Sequence, residues 1–131
     1  MPLQTILLSA LLVLSVFGCE ADSYKATHTE INKTLDRSIT ALDKASCRDF
    51  LKEVSPVLIT QISSDETCKH IFEDKGRLSI TSIVFKFVRG SNGMLNEAKN
   101  EYVVDLKPLG LENGAKEFKL IKIQERWYVT Q

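Results

Sequence analysis

The sequence predicts an α+β fold in which N-terminal helices pack on one antiparallel sheet of about four strands. Apolar residues recur at helical spacing in the first half of the chain. From residue 77 the pattern changes to short β-rich runs that are separated by turn residues. The chain has 131 residues, of which 44% are hydrophobic and 26% are charged, as expected for a single globular domain.

Residues 1–18 predict a cleaved signal peptide, because their apolar run is short for a membrane span and has the length of a signal-peptide apolar region. The segment from Val16 to Cys19 resembles the lipobox of bacterial lipoproteins, in which the cysteine thiol is acylated after cleavage just before it. We therefore expect a lipidated Cys19 followed by a polar tether over 19–26. In such proteins an Asp after the cysteine retains the protein in the inner membrane, so Glu20 favours the outer membrane.

A secreted protein without a lipid is the alternative interpretation of the same segment. Phe17 is bulky for a position that usually holds a small residue, and no Lys or Arg precedes the apolar run. Ordinary signal peptidase would then cleave at Gly18 or Ala21. In that case Asn32, in the sequence Asn-Lys-Thr, would be a glycosylation acceptor.

The three cysteines agree with export. Once Cys19 is assigned to lipid, Cys47 and Cys68 remain as an even pair, and an oxidising compartment allows a disulfide between them. The bridge would close a loop of about 20 residues and contribute about 3 kcal/mol. Two separate buried thiols are the alternative. Neither cysteine resembles a nucleophile, since His28 and His70 are the only histidines that could serve as a base.

The folded domain is expected over 27–131 and begins with a helix. Thr27 and Glu30 have the spacing of a capping box, which places the helix over 28–45. One apolar stripe follows at steps of four, four and three residues, formed by Ile31, Leu35, Ile39 and Leu42.

Two shorter helices are predicted next. Ser46 has the character of a helix start, and Pro56 limits the helix that follows it. A third helix is predicted over 64–73, with Gly76 closing it.

The last part of the chain predicts strands over 78–88, 101–107, 116–124 and 126–130. In the first of these runs Ile83, Phe85 and Phe87 would share a face. The polar segment 94–100 is expected to be a loop, and Asn113-Gly114 is a turn signal. The last two runs join so closely at Glu125 that they predict a tight hairpin.

The leading helix, the segment ALDKASCRDFLKEVSPVL from Ala41 and the closing KLIKIQERWYVTQ from Lys119 are similar to small nuclear transport factor 2-like lipoproteins. The resemblance covers 27–131 and includes a last hairpin that ends in Trp127, Tyr128 and Val129. It implies a curved sheet that forms a cone with the helices. Sheets of this fold class often dimerise, so the resemblance also implies a possible homodimer through the sheet.

Enzymes of that fold class, such as ketosteroid isomerase and the polyketide cyclases, place acidic, His or Tyr groups inside the cone. Tyr102, Asp105 and Tyr128 are the corresponding candidates by position, with Asp105 as a general base if the fold buries it. An exposed strand carboxylate and a core aromatic are the alternatives for Asp105 and Tyr102. No motif of the family maps onto these positions, so no catalytic residue is assigned.

Cofactors and nucleic acid are not expected. Glu66, His70 and Asp74 recur at helical steps of four and could ligate zinc, but a solvated helix face is the favoured alternative, so no metal ligand is assigned. The chain has 17 basic and 17 acidic residues, and a zero net charge argues against a phosphate backbone as partner.

These observations favour a lipid-anchored protein of the cell envelope whose domain is a non-enzymatic binding or protein-interaction module. Its ligand, a protein or a small molecule, is not identified by the sequence. A small-molecule enzyme that uses the cone as its active site is the alternative. An enzyme needs buried titratable groups that converge on a wet pocket, whereas a binding module can fill its interior with apolar side chains.

Overall fold

The chain divides into two units between Glu30 and Ile31. In the computed structural model the structure describes residues 25–61, 64–111 and 114–130. The expected signal peptide and Cys19 therefore lie outside the described residues. In the first unit residues 25–30 are helical, and the Thr29 hydroxyl donates to the carbonyl of Lys25 at 2.8 Å. The expectation that the first helix begins at a Thr27 cap is wrong, because the two residues before Thr27 are already helical.

In the second unit the described helices precede a four-stranded antiparallel sheet, which confirms the predicted α+β class. The helices are α1 (31–43), α2 (Cys47–Leu51), α3 (Pro56–Gln61), α4 (Ser64–Phe72) and α5 (Lys75–Arg89). The strands are β1 (Met94–Asn96), β2 (Glu101–Asp105), β3 (Glu117–Ile123) and β4 (Arg126–Val129), and they lie side by side in chain order.

Helix α1 ends two residues before the predicted position, at a left-handed residue. Ala45 has φ 52°, and the amides of Ala45 and Ser46 donate to the carbonyls of Leu42 and Ala41 at 3.0 and 2.9 Å. This pair of bonds is a Schellman motif, which satisfies carbonyls that the helix end leaves without partners. The Ser46 hydroxyl then accepts from the amide of Asp49 at 3.3 Å, so the predicted start of α2 is confirmed.

The predicted strand over 78–88 is wrong, because this segment lies within helix α5. The side chain of Asp74 caps the helix by accepting from the amides of Gly76 and Arg77 at 2.9 and 3.3 Å. Gly76 therefore lies in the first turn of α5 and does not close α4.

Burial along α5 follows the helical period, not the period of a strand. Phe85 and Val88 are 4% and 1% exposed, whereas Ile80 and Ile83 on the opposite side are 51% and 56% exposed. Ile83 thus does not share a face with Phe85, as the strand prediction required. The β-branched and aromatic composition suggested a strand, but such propensity is weaker than tertiary packing.

The three strands β2, β3 and β4 confirm the predicted runs, while β1 forms in the segment 94–100 that was expected to be a loop. The tight hairpin between β3 and β4 is also confirmed. Its two turn residues, Gln124 and Glu125, have φ values of 50° and 66°, as a type I′ turn requires. The predicted turn residue Asn113 lies outside the described residues.

Aromatic rings connect the helices to the sheet. The ring centroid of Phe50 lies 5.6 Å from that of Phe72 on α4 and 5.5 Å from that of Phe85 on α5. Phe85 in turn lies 4.9 Å from Phe118 on β3, and all three pairs meet edge to face. The sheet side chains that face this core are Tyr102, Val104, Phe118, Leu120, Trp127 and Val129.

The disulfide between Cys47 and Cys68 is confirmed. It joins the start of α2 to α4 across a sequence separation of 21, with the two Cα atoms 5.6 Å apart. Because Phe50 and Phe72 of the same helices are in ring contact, the bridge and the aromatic cluster hold the same pair of elements together.

We predict that the Cys47→Ser, Cys68→Ser double variant unfolds with a free energy about 3 kcal/mol below that of the parent chain, because the bridge restricts the unfolded ensemble. Urea unfolding followed by far-UV circular dichroism measures the difference. Reduction should lower the midpoint of the parent chain and leave that of the variant unchanged. A parent midpoint that does not respond to reduction would contradict the prediction.

Candidate functional site

A buried carboxylate between two arginines is the most distinctive polar feature of the described structure. Glu53, in the link between α2 and α3, is only 2% exposed. Its Oε1 accepts from Arg37 Nε at 2.6 Å, and its Oε2 accepts from Arg126 Nη2 at 2.9 Å. Both arginine side chains are about half exposed, at 48% and 45%.

Helix α1 positions one of the two guanidinium groups. Thr34 lies one turn before Arg37, and its buried hydroxyl donates to the carbonyl of Trp127 on β4 at 3.0 Å. The same hydroxyl accepts from Arg37 Nη2 at 3.4 Å. Thr34 therefore ties the helix to the strand and holds the arginine beside Glu53.

Strand β4 positions the second guanidinium group. Arg126 is the first residue of the strand, and its Nη2 also donates to the carbonyl of Lys52 at 3.3 Å. The guanidinium carbon lies 5.1 Å from the ring centroid of Tyr128, within the range of a cation–π contact. The ring and the carbonyl together restrict where the arginine can lie.

The backbone of Glu53 joins the same strand. Its carbonyl accepts from the amide of Val129 at 2.8 Å, and the amide of Ser55 donates to the carbonyl of Val129, also at 2.8 Å. Val54 and Val129 thereby form a parallel bridge along the outer edge of β4. Both the side chain and the backbone of Glu53 are thus bound to strand β4.

This arrangement favours a structural role for Glu53 over the role of a catalytic base. Charge-assisted hydrogen bonds from two guanidinium groups occupy both carboxylate oxygens of Glu53, which leaves the carboxylate poorly placed to take a proton from a substrate. A buried carboxylate without such partners would be costly, so the arginines are what make its burial tolerable. The chemistry of the cluster is therefore attachment of α1 and the link to β4.

A cleft of about 390 Å³ lies beside this cluster, and its wall includes Arg37, Lys52 and Glu53. Two further carboxylates on the wall already have cationic neighbours. Asp36 accepts from Arg89 Nε at 2.8 Å, and Asp49 lies 3.5 Å from Lys52 Nζ. The cleft therefore presents mixed and largely compensated charge.

The three pocket residues that the sequence suggested do not come together. Tyr102 faces the core at 2% exposure, and its hydroxyl accepts from the amide of Gly93 at 2.7 Å. Because alternate residues of a strand point to opposite faces, Asp105 lies on the other face of the sheet. Tyr128 pairs with Ile121 on that other face.

Asp105 has a structural role where the structure places it. Its carboxylate accepts from the amide of Lys107 at 2.9 Å, at the start of the short 3-10 turn that follows β2. The side chain is exposed, so the alternative of an exposed strand carboxylate describes its position.

The residues considered for zinc serve other partners. His70 Nδ1 lies 2.6 Å from Arg77 Nη1, and Asp74 caps helix α5. Within the part of the chain that the structure describes, no three His, Cys, Asp or Glu side chains are grouped closely enough to hold a metal ion.

Sequence reasoning missed Glu53 and both of its arginine partners. The contacts join residues 16 and 73 positions apart, and neither spacing follows a local period. Glu53 also follows the short helix α2 in a stretch without apolar periodicity, so nothing local marked it as buried.

The described domain thus belongs to the α+β class, with helices on one face of a four-stranded antiparallel sheet. Comparison with protein families, curated proteins and solved structures found no match to this chain. Among the residues described, none of the helices is both long and apolar enough to cross a membrane.

We predict that Glu53→Gln lowers the free energy of unfolding by about 2–3 kcal/mol, because the neutral amide loses charge-assisted bonds to both arginines. The matched control is Asp36→Asn, which removes an exposed carboxylate–arginine pair from the same cleft and should cost less than about 1 kcal/mol. Urea unfolding of the two variants measures both losses. Equal losses of unfolding free energy in the two variants would contradict the prediction, because the buried ion pairs of Glu53 would then contribute no more than the exposed pair of Asp36.

Proposed function

We propose that this protein is lipid-anchored in the cell envelope, through Cys19 after removal of residues 1–18, with the outer membrane as its location. Its folded domain acts as a non-enzymatic binding or protein-interaction module, held near the membrane by a polar tether that is shorter than the expected 19–26, since Lys25 and Ala26 are already helical. The lipobox-like segment before Cys19 supports the anchor. The disulfide between Cys47 and Cys68 is consistent with an oxidising compartment.

The observation that carries the binding role is the filling of the sheet's helix-facing side by apolar side chains. Phe118, Leu120 and Trp127 are at most 4% exposed, and the hydroxyl of Tyr102 is bound to backbone. The buried carboxylate of Glu53 is compensated by two arginines. An enzyme would instead need titratable groups that converge on a wet pocket.

We propose in addition that the domain has a cone-like fold similar to that of nuclear transport factor 2. Its support is the order of elements, with helices before consecutive antiparallel strands, and the last hairpin, in which Trp127 is buried. The resemblance remains one of element order and residue pattern, so it contributes a class of domain and no catalytic residue.

The anchor is tested by the intact mass of the full chain expressed in a bacterium and extracted from membranes. We expect a chain that begins at Cys19 and carries acyl groups, and that partitions into detergent. The control variant Cys19→Ser should lose both the added mass and the partitioning. An unacylated mature chain that begins at any residue would instead support the secreted alternative. Glycosidase sensitivity at Asn32 after secretion from a eukaryotic host would identify a glycoprotein.

We further propose that two copies pair through the outer face of the sheet. This face carries the half-buried side chains of Val103, Ile121 and Tyr128, with Glu101 and Lys119 among them. A surface that holds both charge signs around apolar side chains can be complementary to itself across a two-fold axis.

Pairing predicts that the full chain with Cys19→Ser has twice its monomer mass in light scattering. Adding Ile121→Glu should return it to the monomer, because a carboxylate would be buried against the second copy. Adding Ile83→Glu on the exposed side of α5 is the matched control and should leave the mass doubled. A monomer before either change would refute the pairing, and circular dichroism verifies that each variant is folded.

A further inference from the structure

A groove of about 280 Å³ lies between helix α5 and the segment that connects β2 to β3. Ile80 and Val84 form the helix side of its wall, while Leu106, Leu111 and Phe118 form the opposite side and the floor. Phe118 and Leu106 are 4% and 3% exposed, so the floor of the groove is continuous with the core. The rim is not buried, because Ile80 is 51% and Leu111 is 37% exposed.

A recess that is lined by two lysines lies next to the groove. A second cavity of about 360 Å³ shares Leu106 and Leu111 with the groove and is also lined by Lys107 and Lys116. Both lysines are exposed, and neither forms an ion pair with a residue that the structure describes. Glu117 also lines the groove, and its carboxylate lies 4.0 Å from Lys119 Nζ. The groove and the recess together, called the depression below, are therefore mainly apolar at one end and, among the described residues, lined by two lysines at the other.

We propose that this depression binds a free fatty-acid carboxylate, with the alkyl chain against Ile80 and Phe118 and the carboxylate beside Lys107 and Lys116. Most of the groove wall is apolar, with Thr81 and Glu117 as its polar members, and an alkyl chain placed against its apolar side chains gains by leaving water. The lysines give the complementary charge for one anionic head group.

A single short alkyl chain is the ligand of matching size, because the groove of about 280 Å³ is small and its rim is open to solvent at Ile80 and Leu111. This depression is separate from the Glu53 cluster, and its proposed ligand does not depend on whether Cys19 carries a lipid.

Calorimetric titration of the full chain with decanoate, below the concentration at which decanoate forms micelles, tests the proposal. We expect saturable binding with one decanoate per chain. Ile80→Glu should weaken it by about tenfold or more, because a carboxylate enters the apolar wall and repels the anionic ligand. The matched control is Ile83→Glu, which changes the same residue type on the same helix at 56% exposure outside the groove and should alter affinity less than about twofold.

The role of the lysines is tested separately with decanol, which has the same chain and no charge. The Lys107→Gln, Lys116→Gln double variant should weaken decanoate several-fold and leave decanol unchanged. Thermal unfolding verifies that each variant is folded, which is expected because the four substituted side chains, Ile80, Ile83, Lys107 and Lys116, are exposed. Absence of saturable decanoate binding, or equal losses for Ile80→Glu and Ile83→Glu, would overturn the proposal. Binding of the Cys19→Ser chain to phosphatidylglycerol vesicles without binding to decanoate would overturn it in favour of a lipid surface.

Discussion

The attachment of the Glu53 link to strand β4 is the constraint on which the rest of the domain depends. Strand β4 is the last strand of the sheet, and an open edge with unpaired amides and carbonyls invites pairing with other chains. The parallel bridge between Val54 and Val129 covers that edge, and the buried carboxylate fixes the bridge to α1 through Arg37. The link between α2 and α3 therefore covers one edge of the sheet, and its Glu53 holds helix α1 through Arg37. The other edge, β1, is only three residues long, which limits its capacity to pair with another chain.

The helices are attached to the sheet by a different kind of interaction. Ring contacts run from Phe72 through Phe50 and Phe85 to Phe118, so an unbroken series of aromatic side chains crosses from α4 to β3. The disulfide reinforces the outer end of this series, where α4 is short and helix packing alone is weak. On the α1 side, polar contacts add to the burial of Ile31, Leu35 and Leu42, which are at most 2% exposed. On the α4 side, aromatic packing is joined by one covalent bond.

The sequence predicted those parts of the fold whose signals are local. Strands β2 to β4 have apolar residues at alternate positions, and the two-residue connection at Gln124 and Glu125 leaves room only for a tight hairpin. Helix α5 was missed because its composition favours strands, although its length of 15 residues and the Asp74 cap are signals of a helix. The Glu53 cluster could not be predicted, since it joins α1, the link and β4 from distant parts of the sequence, and burial of a charge has no local pattern.

Buried polar groups and exposed surface groups of the domain differ in how many of their contacts are already made. Among the described residues, three buried polar groups have partners: Glu53 has its two arginines, Thr34 has the carbonyl of Trp127, and Tyr102 has the amide of Gly93. Hydrogen bonds of this kind stabilise the fold. The surface differs, because Ile80 is half exposed in the apolar groove and the two lysines of the neighbouring recess have no ionic partner among the described residues. The proposed ligand binding and the proposed pairing of two copies both rely on surface groups whose contacts are incomplete in the isolated domain.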